Sequence, residues 1–172
     1  LAFWANLYNA ITVNIVAQNW PVKSIRKIGG GLFGGGPWKR DIITVEGQTL
    51  SLDAIEHDTM RKRFKEPRIH YMVNCASVGC PNLKQTPWRA ATLEADMTAA
   101  AKAFINSPRG AYVENGALTT SSIFKWYKED FGNSDRRVIA HLILYADKDL
   151  TPRLDRADKI SADQYDWDVN AK

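Results

Sequence analysis

Residues 68–81, "RIHYMVNCASVGCP", place a short apolar segment directly before a loop that holds both cysteines of the chain. The apolar segment, residues 68–73, predicts a β-strand, because short apolar runs bounded by small and polar residues are typical of strands. Side chains alternate along a strand, so His70, Met72 and Asn74 would share one face. The loop that follows is consistent with a catalytic thiol, a zinc site or a small disulfide.

An amphipathic helix is predicted near the start of the chain. Residues 3–19, "FWANLYNAITVNIVAQN", carry apolar side chains at helical spacing, and Trp20-Pro21 ends the pattern. Asn6 and Asn9 fall on the other side of this helix. We therefore expect these two side chains to face solvent or to form local hydrogen bonds.

A hairpin and a second helix are predicted before the cysteine loop. The alternation in residues 41–52 predicts two short strands that turn at Glu46-Gly47. Ser51 can then cap a helix that runs from Leu52 to about Phe64.

Downstream of the cysteine loop, three more helices and a second hairpin are predicted. The helical patterns cover residues 92–106, 121–132 and 134–146, and the hairpin turns at Asn115-Gly116. Residues 165–170 predict a short extended segment. Because no repeat or low-complexity linker separates these elements, the sequence predicts a single α+β domain over residues 1–172, with several helices packed around a small sheet or hairpins.

The composition fits a globular chain with a proper core. The chain has 172 residues, of which 45% are hydrophobic and 24% charged. No apolar run approaches the ~20 residues that span a bilayer, so no transmembrane segment is predicted. The net charge is +4, and the basic residues include the run "MRKRFKEPR", residues 60–68. Cations at the end of a helix explain this run better than a nucleic-acid site, so no nucleic-acid partner is expected.

The glycine-rich stretch "GGGLFGGGPW", residues 29–38, contains the spacing G-x-G-x-x-G. Pro37 and Trp38 follow it where a dinucleotide-binding motif requires a helix. The stretch therefore predicts a loop bordering a cleft, and no cofactor is expected.

Glu56 stands out in the second predicted helix. It lies at the centre of an apolar face formed by Leu52, Ile55, Met60 and Phe64, with His57 on the flank. Because an unpaired buried carboxylate costs several kcal/mol, we expect a partner for it. The candidates are His70, Arg63, Arg68 and a backbone amine. The pair would be either purely structural or a carboxylate that orients a histidine or itself moves protons.

Cys75 is the candidate nucleophile at the end of the predicted strand. His70 or His57 would accept its proton, Glu56 would orient the imidazole, and the amides of "ASVG", residues 76–79, would stabilise an oxyanion. Five strand residues span ~16 Å, so a direct contact between His70 and Cys75 requires a sharp bend.

Three other interpretations of the cysteines remain open, of which the simplest is two inert buried thiols. A disulfide between Cys75 and Cys80 would close a short loop. A zinc site would use His57, His70, Cys75 and Cys80, although their spacing is not that of a usual zinc finger. Ser77 lacks the surroundings of a nucleophile elbow, and His141 is expected to be structural.

Several motifs occur in the same order as in a known family. They are "FWANLYNA" (3–10), "IEH" (55–57), "PRIHYMVNCASVGCP" (67–81), "IFKWYKEDF" (123–131) and "YDW" followed by Asn170. The chain resembles the domain-of-unknown-function family numbered 547, which has bacterial and plant members. The resemblance implies that Glu56, His57, His70, Cys75 and Cys80 occupy characteristic positions, and that the polypeptide extends upstream of its first motif. Bacterial members often look exported, which implies a periplasmic or extracellular location and supports the disulfide.

Two main functional hypotheses follow, and a disulfide would leave a third one open, in which Glu56 and the histidines carry out carboxylate chemistry. The first is a thiol-dependent hydrolase or acyl transferase acting on an amide or ester. The second is a non-catalytic extracytoplasmic module that binds a peptide, a glycan or a protein and is held together by the disulfide or by zinc. The resemblance brings no activity that would decide between them.

Overall fold

The computed structural model describes residues 1–29 and 35–170 and contains helices and two small sheets, so the predicted α+β class is confirmed. The chain divides into two compact units. Unit 1 comprises Leu1–Leu93 and the residues from Asp166 onward, and unit 2 comprises Glu94–Tyr165. That they form one domain stays a prediction. Half of the glycine-rich stretch, residues 30–34, lies outside the described residues.

Unit 1 begins with helix α1 and a hairpin. Helix α1, Ala2–Gln18, buries Tyr8, Ile11 and Ile15, which belong to the predicted apolar stripe. Strands β1, Ile43–Val45, and β2, Gln48–Leu50, pair antiparallel. Glu46 and Gly47 both have positive φ angles, 51° and 79°, which is the geometry of a two-residue type I′ turn. The predicted hairpin is therefore present.

The second helix forms where expected but has a different geometry. The Ser51 hydroxyl accepts a hydrogen bond from the Ala54 amide at 3.1 Å, as predicted for the cap. The helix is then a π-helix, Ala54–Arg61, before it becomes α-helical in α2, Lys62–Phe64. A π-helix bonds residue i to i+5, so the apolar face predicted for an α-helix is only partly correct. Leu52, Ile55 and Met60 are fully buried, whereas Phe64 is 39% exposed.

The prediction of a strand in residues 68–73 is wrong. The segment is a 3-10 helix, Pro67–Tyr71. Pro67 occupies its first turn, and the Glu66 carboxylate accepts a hydrogen bond from the Arg68 amide at 3.0 Å. The Arg68 guanidinium also binds both Glu66 oxygens at 2.8 Å. Because proline and a capping carboxylate favour the start of a helix, they override the strand pattern of the apolar residues.

Unit 2 is built on a three-stranded sheet. Its strands are β3, Ala111–Glu114, β4, Ala117–Ser121, and β5, Ala162–Gln164. Strand β4 lies in the centre, antiparallel to β3 and parallel to β5. The hairpin turn at Asn115 and Gly116 forms as predicted, with φ angles of 50° and 79°.

The helices of unit 2 supply most of its core. They are α3, Leu93–Ile105, α4, Ile123–Trp126, α5, Asp135–Tyr145, and α6, Thr151–Leu154. The helix predicted for residues 121–132 is broken at Tyr127, after which a 3-10 helix, Lys128–Phe131, follows. His141 is buried against the rings of Phe131 and Tyr145, at 4.8 and 5.2 Å between centroids, in agreement with a structural role.

Two aspartates of unit 2 are held in their charged form by lysines. Asp135 accepts hydrogen bonds from Lys128 Nζ at 2.6 Å and from the Ile160 amide at 3.0 Å. Asp163 accepts from Lys125 Nζ and from the Ser122 hydroxyl, both at 2.8 Å. In each case the hydrogen bond from lysine is the main cause that lowers the carboxyl pKa below its ordinary value of 3.8.

These lowered pKa values predict a loss of stability in acid. A carboxyl group with a lower pKa in the folded state stabilises the protein above its unfolded pKa, and this contribution is lost as the pH falls through the folded pKa. We expect the free energy of unfolding of the wild type to fall as the pH decreases below ~4. In the variant with both Asp135→Asn and Asp163→Asn, this fall should be smaller by about 1 kcal/mol. The difference is small because both ion pairs are partly exposed. Urea unfolding followed by circular dichroism at pH 7 and at pH 3 measures this.

Asp149→Asn is the control, because Asp149 is exposed. The free energy of unfolding of this variant should fall between pH 7 and pH 3 by as much as that of the wild type. An equal drop in the double variant would contradict the prediction.

Candidate active site in unit 1

A buried carboxylate–imidazole pair lies between the π-helix and the following 3-10 helix. Glu56 Oε1 lies 3.9 Å from His70 Nδ1, and the two side chains are 8% and 1% exposed. Of the partners expected for Glu56, the structure therefore places His70 beside it. Because the carboxylate lies next to Nδ1, it can fix the orientation of the ring and leave Nε2 as the nitrogen that would exchange a proton with a nucleophile.

His57 has different neighbours. Its Nε2 lies 3.8 Å from Asp53 Oδ1, and its Nδ1 lies 3.3 Å from the Arg61 guanidinium. Both neighbours are one turn away on the same helix, and the His57 side chain is 34% exposed. These contacts are typical of a solvated helix face. A role for His57 as the base stays a prediction.

The two cysteines are in contact with each other through their sulfur atoms. Cys75 is partly exposed and Cys80 is buried. Their Sγ atoms lie 2.6 Å apart, and the Cys75 amide donates a hydrogen bond to Cys80 Sγ at 3.0 Å. Cys75 Sγ also lies 3.5 Å from the Ser77 hydroxyl. The loop thus brings together the two sulfurs whose role the sequence left open.

The alternative zinc set is not assembled in the described part of the chain. Within residues 1–29 and 35–170, no three histidine, cysteine, aspartate or glutamate side chains are grouped so that they could hold a metal ion. The set of His57, His70, Cys75 and Cys80 therefore receives no support from the geometry.

Most amides of the cysteine loop already have acceptors. The amide of Ala76 donates to Asn74 Oδ1 at 2.6 Å. The amides of Val78 and Gly79 donate to the carbonyls of Asp168 and Asp166 at 2.8 and 2.9 Å. These three groups cannot also stabilise an oxyanion, so the expectation that they would do so is wrong. Among the described residues, the Ser77 amide is the one in this run for which no acceptor is found.

The extended segment at residues 166–170 holds the cysteine loop from one side. Ser77 and Val169 form an antiparallel bridge, and the Asn170 amide donates to the Ala76 carbonyl at 2.8 Å. The ring of Trp167 packs against Trp38, with 5.9 Å between centroids, and lies under the Arg26 guanidinium at 5.1 Å. The predicted extended segment is therefore present, and it acts as a short partner strand for the loop.

Asn9 holds the segment directly before the cysteines, which contradicts the prediction that it faces solvent or forms local hydrogen bonds. It is 7% exposed. Its Nδ2 donates to the Met72 carbonyl and its Oδ1 accepts from the Asn74 amide, both at 2.8 Å. The Asn74 side chain in turn donates to the Pro81 carbonyl at 2.7 Å, which ties the two ends of the loop together. Asn9 therefore positions the cysteine loop from a helix that is distant in sequence.

Asn6 makes the same kind of contact one turn earlier. Its side chain donates to the carbonyl of Trp88 and accepts from the Trp88 amide, both at 2.9 Å. The sequence contains a signal for the hydrogen bonds that both asparagines make to remote backbone groups. Asparagine is disfavoured inside helices, so two asparagines three positions apart in a 17-residue helix indicate a specific role.

The fold and this site together define an α+β protein with a buried glutamate–histidine pair and a dithiol loop. Residues 1–105 match the family described as "Protein of unknown function, DUF547", and the chain belongs to this family. The match includes Glu56, His70 and both cysteines, whereas the motifs at residues 123–131 and 165–170 lie beyond it. No curated protein and no solved structure matches the chain. Within the described residues, no helix is long and apolar enough to cross a membrane.

Proposed function

We propose that unit 1 is a thiol-dependent hydrolase or acyl transferase that acts on an ester or amide. His70 takes the proton of the Cys75 thiol, and the sulfur attacks the carbonyl carbon. The leaving alcohol or amine takes the proton from His70, which leaves an acyl group bound to Cys75 as a thioester. Water releases the acyl group in a hydrolase, and a second alcohol or amine accepts it in a transferase.

One observation carries this proposal: the 3.9 Å contact of Glu56 with His70 Nδ1 in a buried position. A carboxylate on one ring nitrogen is the arrangement in which the other nitrogen acts as a base for a nucleophile. The distance is longer than a hydrogen bond, as is common for catalytic contacts in enzymes without substrate. Cys75 is the more exposed of the two thiols, so it is the one that a substrate can reach.

Iodoacetamide labelling tests the proposal without a known substrate. A thiol activated by an imidazole reacts as the thiolate below the pH at which an ordinary thiol does. We expect the reduced protein at pH 6 to gain one label on Cys75, at least about tenfold faster than free glutathione does. Intact mass spectrometry measures the rate. Cys75→Ser is the control and should take up no label on that timescale. The proposal fails if neither cysteine reacts faster than glutathione.

A second function is favoured by the contact between the sulfurs. In this alternative the chain is a binding or structural module, a Cys75–Cys80 disulfide staples the loop, and the ligand is a peptide, glycan or protein. The 2.6 Å separation of the two sulfurs supports it. A permanent disulfide fits the periplasmic or extracellular location that we propose from the exported members of the family. The isolated protein would then gain two hydrogens in mass on reduction and would show no reactive thiol before it.

A further inference from the structure

The two cysteines differ in how accessible they are. Cys75 is partly exposed, whereas the residue Cys80 is 4% exposed. An external reagent can therefore reach Cys75 Sγ, and Cys80 Sγ reaches solvent much less. Because the two sulfurs are in contact, any group attached to Cys75 is within reach of Cys80. An accessible thiol next to a shielded one is the arrangement that thiol–disulfide exchange requires of its attacking and resolving cysteines.

The backbone contributes a donor to the shielded sulfur. The Cys75 amide points at Cys80 Sγ at 3.0 Å. A hydrogen bond to a charged group stabilises that group more than its neutral form, so this N–H favours the thiolate of Cys80. The thiolate is the form that attacks a neighbouring disulfide.

The loop is tied so that the two sulfurs stay together. Asn74 Nδ2 donates to the Pro81 carbonyl at 2.7 Å, and the Cys80 amide donates to the Ser77 carbonyl at 3.1 Å. These bonds close the loop through groups other than sulfur. The loop therefore does not need a disulfide to keep its shape, and the pair is able to open and close within a folded protein.

We propose that Cys75 and Cys80 form a reversible dithiol–disulfide pair that exchanges with external disulfides. The Cys75 thiolate attacks one sulfur of the external disulfide, which breaks its S–S bond and releases one thiol. The Cys80 thiolate then attacks Cys75 Sγ, which forms the Cys75–Cys80 bond and releases the second thiol. The protein loses two electrons and two protons, and the external disulfide gains them.

The exchange has a consequence for the proposed hydrolase. While Cys75 is bonded to Cys80, it has no thiolate with which to attack a carbonyl. The pair would then switch the acyl-transfer activity off under oxidising conditions. This consequence rests on the proposed function, whereas the exchange itself does not.

Glutathione disulfide is the probe that tests the exchange. The reduced protein, Cys80→Ser and Cys75→Ser are each incubated with it under native conditions and followed by intact mass. We expect the wild type to lose two hydrogens without keeping glutathione, because Cys80 displaces it. Cys80→Ser should keep one glutathione on Cys75. Cys75→Ser should react at least about tenfold more slowly than Cys80→Ser, because Cys80 is shielded.

Reversal and folding complete the test. Dithiothreitol should return the oxidised wild type to its original mass without unfolding it, and circular dichroism confirms that all three proteins are folded. The proposal is overturned if the wild type keeps glutathione, if it does not change in mass, or if Cys75→Ser reacts as fast as Cys80→Ser. It is also overturned if reduction requires denaturant, because the pair is then a permanent staple. The readout is mass alone, so its result is separate from that of the acyl-transfer proposal.

Discussion

Glu56→Gln is expected to lower kcat/KM for hydrolysis of p-nitrophenyl acetate by about 10²-fold to 10⁴-fold. Glutamine keeps the size of the side chain but removes the charge that lies 3.9 Å from His70 Nδ1. The imidazole then loses the group that orients it and stabilises its protonated form. Release of p-nitrophenol measures the effect.

Asp53→Asn is the matched control for this variant. Asp53 lies 3.8 Å from His57, which follows it by one turn, and both of these side chains are about one-third exposed. The Asp53→Asn substitution therefore removes the same charge from a carboxylate–histidine contact that the proposed mechanism does not use. We expect less than a twofold change in rate. Equal losses for the two variants would show that Glu56 has only a structural role.

Asn9→Ala is expected to lower the free energy of unfolding by about 3 kcal/mol, because it leaves two buried backbone groups without partners. These groups are the carbonyl of Met72 and the amide of Asn74. The substitution should also loosen the cysteine loop, so that Cys80 becomes accessible to iodoacetamide. Urea unfolding measures the stability, and mass spectrometry locates the label.

Asn14→Ala is the control on the same helix, because Asn14 is exposed. Both substitutions gain the same helix propensity, since alanine favours a helix more than asparagine does. The difference between the two variants in the free energy of unfolding therefore measures the contribution of the two hydrogen bonds of Asn9. Asn14→Ala should change stability by no more than about 0.5 kcal/mol. If Asn9→Ala is equally mild, the two hydrogen bonds do not stabilise the loop.

The sequence predicted those elements whose cause is local. Asn115-Gly116 and Glu46-Gly47 form their turns because neighbouring residues adopt positive φ angles there. Ser51 caps its helix through a bond that spans three residues. The burial of Glu56 followed from the apolar residues around it, and so did its need for a partner.

The sequence failed where geometry departs from the regular periods or where the partner is remote. A face calculated for an α-helix cannot place Phe64 correctly in a helix that is π-helical over eight residues. The strand pattern of residues 68–73 was overridden by Glu66 and Pro67, which start a 3-10 helix. The bonds of Asn9 join residues 63 and 65 positions apart, a relation that no short-range pattern contains.

The pairing of the cysteine loop with residues 166–170 has a consequence for biosynthesis. Val78 bonds to Asp168, 90 positions later in the chain. At translation rates of about 5–20 residues per second, the loop therefore leaves the ribosome about 5–20 s before its partner strand. During that interval the loop lacks the hydrogen bonds that residues 166–170 supply to Ala76, Val78 and Gly79. The final surroundings of the two cysteines are therefore completed only after almost the whole chain has been synthesised.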